Sequence, residues 1–279
     1  MGPTEPFRRK LNGRAGKALI SVHRGLWGAD PENSSNAVSA AESIGIVEID
    51  LQLAADGVPV VFHDDVLERM TGETGRLADR TSGELSTLCL RVGDGGPDAV
   101  LTDQCIPMLA DVLGQAVSGS YFDFDIKRAD QVEPIAAEIL RLGGQRLGSI
   151  KVDTETVADI ETLLSLQARY GIMVMAKVVL PRAGMDHIAD LVRAGVAAVE
   201  VWFSSLDELA EACRLAGDDM AISTYTLDPV HCSGLSDSIA ATDPAHVWGQ
   251  LIDAGVDIIM TDRAAELARF QELRFSKYR

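Results

Sequence analysis

Asp56-Gly57 sits between two extended runs in this chain, and that short gap constrains the fold more than any other local feature. Residues 46–54 mostly alternate apolar and polar, and residues 58–62 form a second β-rich run. Asp-Gly between two such runs is a strong hairpin signal. A parallel neighbour would need a crossover of about a dozen residues or more, so the second run returns antiparallel to the first. Set aside as a hairpin arm, it leaves eight strand candidates, at residues 18–22, 46–53, 121–127, 149–152, 172–179, 197–202, 221–226 and 256–260. Nearly all of them alternate with segments of helical character, at 33–45, 107–117, 131–142, 154–170, 185–194, 206–215, 244–254 and 263–275. That alternation predicts an α/β chain folded as a (β/α)8 TIM barrel. Residues of about 54–106 lack clear periodicity and are expected to form a small rim insertion after the second strand, with a short helix near 82–89. Residues 1–17 are expected to be a flexible arm and 18–279 a single barrel domain.

Period two along the second strand places Glu48 and Asp50 on one face. If Asp56-Gly57 is a two-residue turn, Ala55 faces Val58 and Asp50 faces His63, so two carboxylates and a histidine converge. A slip of one residue would set His63 opposite Ile49 or Leu51 instead. In a (β/α)8 barrel the reactive groups lie at the C-terminal strand ends. The polar residues there are His23 and Arg24, Glu48 and Asp50, Asp125 and Lys127, Lys151 and Asp153, Glu200 and Trp202, and Asp262.

Glu48, Asp50 and Asp125 are hard oxygen donors suited to one divalent cation, Mg²⁺ or Ca²⁺. Arg24 offers a planar fork and Lys127 a point charge to a phosphate. His23 and His63 are the acid/base candidates near neutral pH. Together these groups favour cleavage of a phosphoester. The alternative for Lys127 and Lys151 is an internal ion pair with the neighbouring carboxylates.

A net charge of −17 disfavours nucleic acid and anionic membrane surfaces as partners. A small anionic substrate stays compatible, because a local cation overrides the global field. The four cysteines, Cys89, Cys105, Cys213 and Cys232, contain no CxxC pair and read as structural thiols of a reducing compartment. No apolar run approaches a bilayer span, and the N-terminal stretch does not read as a signal peptide, so a cytoplasmic protein without stable membrane association is expected.

The segments His23-Arg24-Gly25, Pro31-Glu32-Asn33, Glu48-Ile49-Asp50, residues 56–64 (DGVPVVFHD), Arg69-Met70-Thr71-Gly72, Asp125-Ile126-Lys127 and residues 255–263 (GVDIIMTDR) resemble, in order and spacing, the glycerophosphodiester phosphodiesterase family. The resemblance implies a (β/α)8 barrel with an insertion after the second strand, a divalent metal and two catalytic histidines. By position it makes His23 and His63 the acid/base pair, Arg24 and Lys127 phosphate contacts, and Glu48, Asp50 and Asp125 metal ligands. Lys151, Glu200 and Trp202 are the further candidates for holding substrate. Asp125 stands where the family usually has Glu, Ser34 where Thr is usual, and Ala264 where Pro is usual. Glu32 and Asn33 are expected to shape the first loop rather than to react. The implied substrate is a small phosphodiester, by default a glycerophosphodiester cleaved to glycerol 3-phosphate and an alcohol. A sugar phosphodiester such as an agrocinopine-like opine is the alternative. A non-catalytic phosphate-binding barrel is the rival of another class.

Overall fold

The computed structural model describes residues 2–12 and 17–276. In chain order its strands are β1 (Leu19–Val22), β2 (Ile46–Leu53), β3 (Pro59–Val61), β4 (Cys89–Arg91), β5 (Leu101–Cys105), β6 (Phe122–Ile126), β7 (Gly148–Asp153), β8 (Met173–Val179), β9 (Ala198–Trp202), β10 (Ala221–Tyr225) and β11 (Ile258–Thr261). β1, β2 and β6 to β11 are the strands of a (β/α)8 TIM barrel, and each coincides with one of the eight candidates read from the sequence. The chain divides into two compact units, Val22–Gly148 on the one hand, and Met1–Ser21 with Ser149–Arg279 on the other.

In the unit Val22–Gly148, β2 pairs parallel with β6 and antiparallel with β3. Every residue of β2 is buried except half-buried Leu53, because both faces of a barrel strand are covered. The register of the hairpin is one residue away from the expected one: Leu51 lies opposite Val61, and the Phe62 N–H donates to the Asp50 carbonyl at 3.0 Å. Asp50 therefore faces Phe62, not His63. The cause is the turn, which holds three residues, Ala55 to Gly57, between the paired Ala54 and Val58. Gly57, at φ +78°, supplies the left-handed position such a loop requires. The insertion that follows has a core of its own, in which Phe62, Leu67, Met70, Leu77, Leu85, Leu90 and Ile106 are buried together. It also contains an antiparallel pair, β4 with β5, that its irregular sequence pattern does not announce.

In the other unit, β7, β8, β9, β10 and β11 pair in parallel in sequence order. The helix Val157–Tyr170 shows how local sequence sets its ends. The Thr156 hydroxyl and the Asp159 carboxylate cap each other's backbone N–H groups, and Gly171 closes the helix at φ +64°. Its buried face is Ile160, Leu163, Leu166 and Tyr170, three or four residues apart. Within the stretch expected to be a flexible arm, Glu5–Asn12 is a helix, and its Phe7 side chain is fully buried. A buried aromatic ring contributes a large apolar area to the docking of this short segment. Residues 1 and 13–16 of that stretch lie outside the described residues. No helix among the described residues is long and apolar enough to cross a membrane.

A buried carboxylate ties the ends of β10 and β11. Asp237 Oδ1 accepts from the hydroxyls of Thr226 at 2.5 Å and Thr261 at 2.6 Å, and Oδ2 accepts from the Asp262 N–H at 2.8 Å. Replacing it strands buried donors, which costs more than a hydrogen bond gains. Asp237→Ala is expected to lower stability by roughly 2–4 kcal/mol, read as a fall in the urea midpoint at unchanged slope.

Candidate active site

The unit Val22–Gly148 gathers most of the charged residues singled out by sequence. Parallel pairing of β2 with β6 sets Glu48 beside Asp123 and Asp50 beside Asp125, so these four carboxylates share one face. Oxygens of Glu48, Asp50 and Asp125 lie within 4.8 Å of one another. Glu48 and Asp50 are buried, and an ionised carboxylate is buried only where partners replace its water.

Asp50 has several partners. Its Oδ1 is 2.5 Å from Lys127 Nζ, and its Oδ2 is 3.2 Å from Arg24 Nε. Asn33 clamps it from both sides: the Asn33 amide donates to Asp50 Oδ2 at 2.6 Å, and the Asp50 N–H donates to Asn33 Oδ1 at 3.1 Å. Burial pushes the Asp50 carboxyl up, but Lys127, Arg24 and then His63 outweigh it and hold it below the usual carboxylate range. Lys127 Nζ also lies 2.7 Å from Asp125 Oδ2. Burial pulls its ammonium down, while Asp50, Asp125 and Glu48 push it well above its ordinary value.

Arg24 reaches this position at a backbone cost. It has φ +55°, and Asn33 has φ +58°, both in the left-handed region that side chains with a Cβ rarely adopt. The strain is offset locally. The Arg24 N–H donates to Glu48 Oε2 at 2.8 Å, and its carbonyl accepts from the Asn33 N–H at 2.9 Å. The next residue has to be glycine: a Cβ on Gly25 would sit 2.6 Å from the backbone carbon of Ala37. Ala37 belongs to the helix Ser35–Ala41, which the Ser34 hydroxyl caps, so serine in place of threonine keeps the cap.

His63 is fixed through its backbone and its ring. Gln52, buried on the same strand parity as Glu48 and Asp50, points its Nε2 at the carbonyls of Phe62, His63 and Asp64, at 3.1, 2.9 and 3.0 Å. The His63 ring Nδ1 lies 2.6 Å from Asp64 Oδ1. Burial pushes the Asp64 carboxyl up, but its bonds to His63 and Arg69 outweigh that and hold it far below the usual range. An ionised carboxylate only accepts, so Nδ1 carries the proton and Nε2 is the nitrogen left for proton exchange. Arg69 grips both oxygens of Asp64, at 2.6 and 2.8 Å. It also donates to Glu32 Oε1 at 2.6 Å, and Glu32 Oε2 accepts from Arg24 at 2.8 Å. A chain of alternating charge therefore runs from His63 through Asp64, Arg69 and Glu32 to Arg24.

Glu32 and Asn33 shape the loop as expected. Sequence reasoning gave no role to Gln52, Asp64 or Arg69. Gln52 continues the 48, 50 parity and was open to that reading; the partner of Arg69 is a matter of tertiary contact. His23 is half-buried in the turn after β1, directly before Arg24. Lys151, Glu200 and Trp202 belong to the other unit. There Lys151 Nζ forms a buried ion pair with Glu200 Oε2 at 2.7 Å. Glu200, Trp202, Tyr225, Lys177 and Arg182 are among the residues lining a cavity of about 370 Å³.

The donor set fits a divalent cation. It consists of carboxylate oxygens alone, the chemistry Mg²⁺ and Ca²⁺ prefer. Among the groups joined by the contacts above, the carboxylates of Glu32, Glu48, Asp50, Asp64 and Asp125 outnumber the permanent cations Arg24, Arg69 and Lys127 by two.

A model of the glycerophosphoryl diester phosphodiesterase family matches residues 23–266. Glycerophosphodiester phosphodiesterase 1 of Bos taurus is 43% identical over 87 residues, 30% of this chain and 26% of that protein. The matched stretch spans less than half the length of the first curated relatives. A glycerophosphoryl diester phosphodiesterase structure from Parabacteroides distasonis superposes with a TM-score of 0.72 at 25% identity, covering 94% of this chain and 87% of that one. A phosphodiesterase of Oleispira antarctica, solved with its product sn-glycerol-3-phosphate, has the same fold at 19% identity and a TM-score of 0.62, covering 91% and 95%.

Asp64 yields a pH prediction. Its carboxyl is depressed in the folded chain, so its contribution is present above the ordinary value of 3.8 and is lost as pH falls towards the folded value. The stability gap between wild type and Asp64→Asn is expected to shrink as pH falls below about pH 4, measured by urea unfolding at each pH.

Proposed function

The chain belongs to the glycerophosphoryl diester phosphodiesterase family, and from that premise we propose that it hydrolyses a small glycerophosphodiester to glycerol 3-phosphate and an alcohol. The observation that carries this reading is the carboxylate cluster of buried Glu48 and Asp50 with half-buried Asp125, in contact with Arg24 and Lys127. The product in the Oleispira antarctica structure supports the choice of substrate class.

Glu48, Asp50 and Asp125 would hold the ion. An ion held there, Mg²⁺ or Ca²⁺, would supply Lewis-acid charge to the phosphate. Arg24 and Lys127 supply positive charge and donors to the phosphate oxygens as charge builds in the transition state. His63 exchanges a proton at Nε2, with Asp64 orienting the ring and stabilising its protonated form. His23 carries the complementary transfer, so that one histidine takes the proton of the nucleophile and the other protonates the leaving alkoxide. The nucleophile is water or a neighbouring hydroxyl of the substrate, the latter giving a cyclic phosphate. Lys151, Glu200 and Trp202 are assigned to substrate binding, on the strength of the cavity beside the Lys151–Glu200 pair and its two aromatic rings. That lining also suits a polyol, which keeps a sugar phosphodiester as the second reading.

The test is product release from glycerophosphocholine, glycerophosphoethanolamine and sugar-phosphate diesters, each with Mg²⁺, with Ca²⁺ and with chelator. Metal-dependent turnover of the glycerol diesters is expected, with a loss of about 100-fold or more in kcat for His23→Ala and for His63→Ala. Turnover of sugar diesters alone would favour the second reading. Full activity in both histidine variants would overturn the scheme. Asp50→Asn is expected to abolish metal binding measured by calorimetry; retained binding would remove Asp50 from the ligand set.

A further inference from the structure

Two thiols that the proposed chemistry does not use face each other in the insertion. Cys89 on β4 lies directly opposite Cys105 on β5. The Ile106 N–H donates to the Leu88 carbonyl at 3.2 Å, so Leu88 and Ile106 are the hydrogen-bonded pair and Cys89 and Cys105 the adjoining non-hydrogen-bonded pair. At such positions opposing Cα atoms are ~4.5 Å apart and the side chains lean together, inside the span of ~4.4–6.8 Å that disulfides bridge. Both cysteines are free thiols and both are half-buried. The Cys105 thiol is pushed up by burial and then by the Cys89 sulfur beside it.

The remaining cysteines are placed differently. Cys213 lies on the helix Leu206–Ala216, and burial pushes its thiol up to about 12. Cys232 is fully buried beside the Thr224 hydroxyl. Cys213 is half-buried, but its raised thiol leaves little thiolate for exchange, and Cys232 is buried away from a reagent in solution.

We propose that Cys89 and Cys105 form a reversible redox site, a dithiol that closes to a cross-strand disulfide in exchange with small-molecule disulfides such as oxidised glutathione. Either cysteine can open the exchange as its thiolate. From Cys89, the thiolate displaces one thiolate from the reagent and forms a mixed disulfide. The Cys105 sulfur then attacks the Cys89 sulfur and expels the second thiolate. The two protons lost by the cysteines pass to the two released thiols, so one protein dithiol and one small disulfide become one protein disulfide and two small thiols. The site sits close to the support of the charge chain. Beyond β4, the Gly93 carbonyl accepts from the Glu32 N–H at 2.9 Å, and the Asp94 carbonyl accepts from Arg69 at 2.5 Å.

The test uses the full chain, reduced and then equilibrated in buffers of varied reduced-to-oxidised glutathione ratio. Samples are quenched in acid, unfolded, alkylated and peptide-mapped. The expected result is the loss of two alkylatable thiols per chain, a peptide linked through Cys89 and Cys105, and full reversal by reduced glutathione, with Cys213 and Cys232 still alkylated. Cys89→Ser and Cys105→Ser should each stop at one persistent mixed disulfide with glutathione on the remaining thiol. Two unchanged thiols in excess oxidised glutathione would overturn the proposal. So would mixed disulfides that persist in the wild-type chain, or linkage of either cysteine to Cys213 or Cys232.

Discussion

A carboxylate with no exposure to solvent, Asp50, sets the terms for the rest of the site. Ionised in a buried position, it requires charge and hydrogen-bond partners in place of water. Lys127 arrives from the end of β6, Arg24 from the turn after β1 and Asn33 from the loop that follows. Each partner constrains its own surroundings. Arg24 and Asn33 accept left-handed backbone, and Gly25 is needed because the helix Ser35–Ala41 comes within reach of any side chain there. The geometry that strains the first loop is the one that directs an arginine and a lysine at the carboxylate cluster.

The insertion is part of the same arrangement. It builds a separate hydrophobic core around Phe62, Leu67 and Met70, and that core holds the segment carrying Arg69. Arg69 satisfies Asp64 and Glu32 together, so the orientation of the His63 ring and the position of Arg24 depend on one side chain. A bidentate guanidinium suits this task because its planar fork meets both carboxylate oxygens at once. The hairpin β4–β5 adds backbone acceptors for Glu32 and Arg69 just past its first strand. Elements that read as irregular in sequence thus hold these charged groups in place.

The eight barrel strands, most of the helices and the Glu48, Asp50, Asp125 cluster were legible in the chain, because strand parity and helix periodicity are properties of local sequence. The pairing of His63 with Asp50 that the hairpin suggested does not hold in the structure. A two-residue turn would have aligned them, whereas the three-residue turn shifts the register by one and sets Phe62 opposite Asp50. His63 lies beyond the end of β3, in a segment pinned by Gln52. Turn length decides register, and Asp-Gly occurs in both kinds of turn. The helix Glu5–Asn12 escaped notice because it is short and presents a single fully buried apolar residue, Phe7, so its sequence carries little apolar periodicity.

The sequence by itself determined the order of strands and helices, the face on which the acidic residues of β2 fall, and the kind of chemistry those residue types allow. These follow from periodicity and from donor chemistry, neither of which needs a partner segment to be specified. Tertiary structure alone decided which charges meet. The bridging of Arg24 and Arg69 by Glu32, the grip of Asn33 on Asp50, the pairing of Lys151 with Glu200 and the apposition of Cys89 with Cys105 all join residues set by packing and register. Contacts of that kind depend on where a chain turns and what it packs against, and those are properties of the folded molecule.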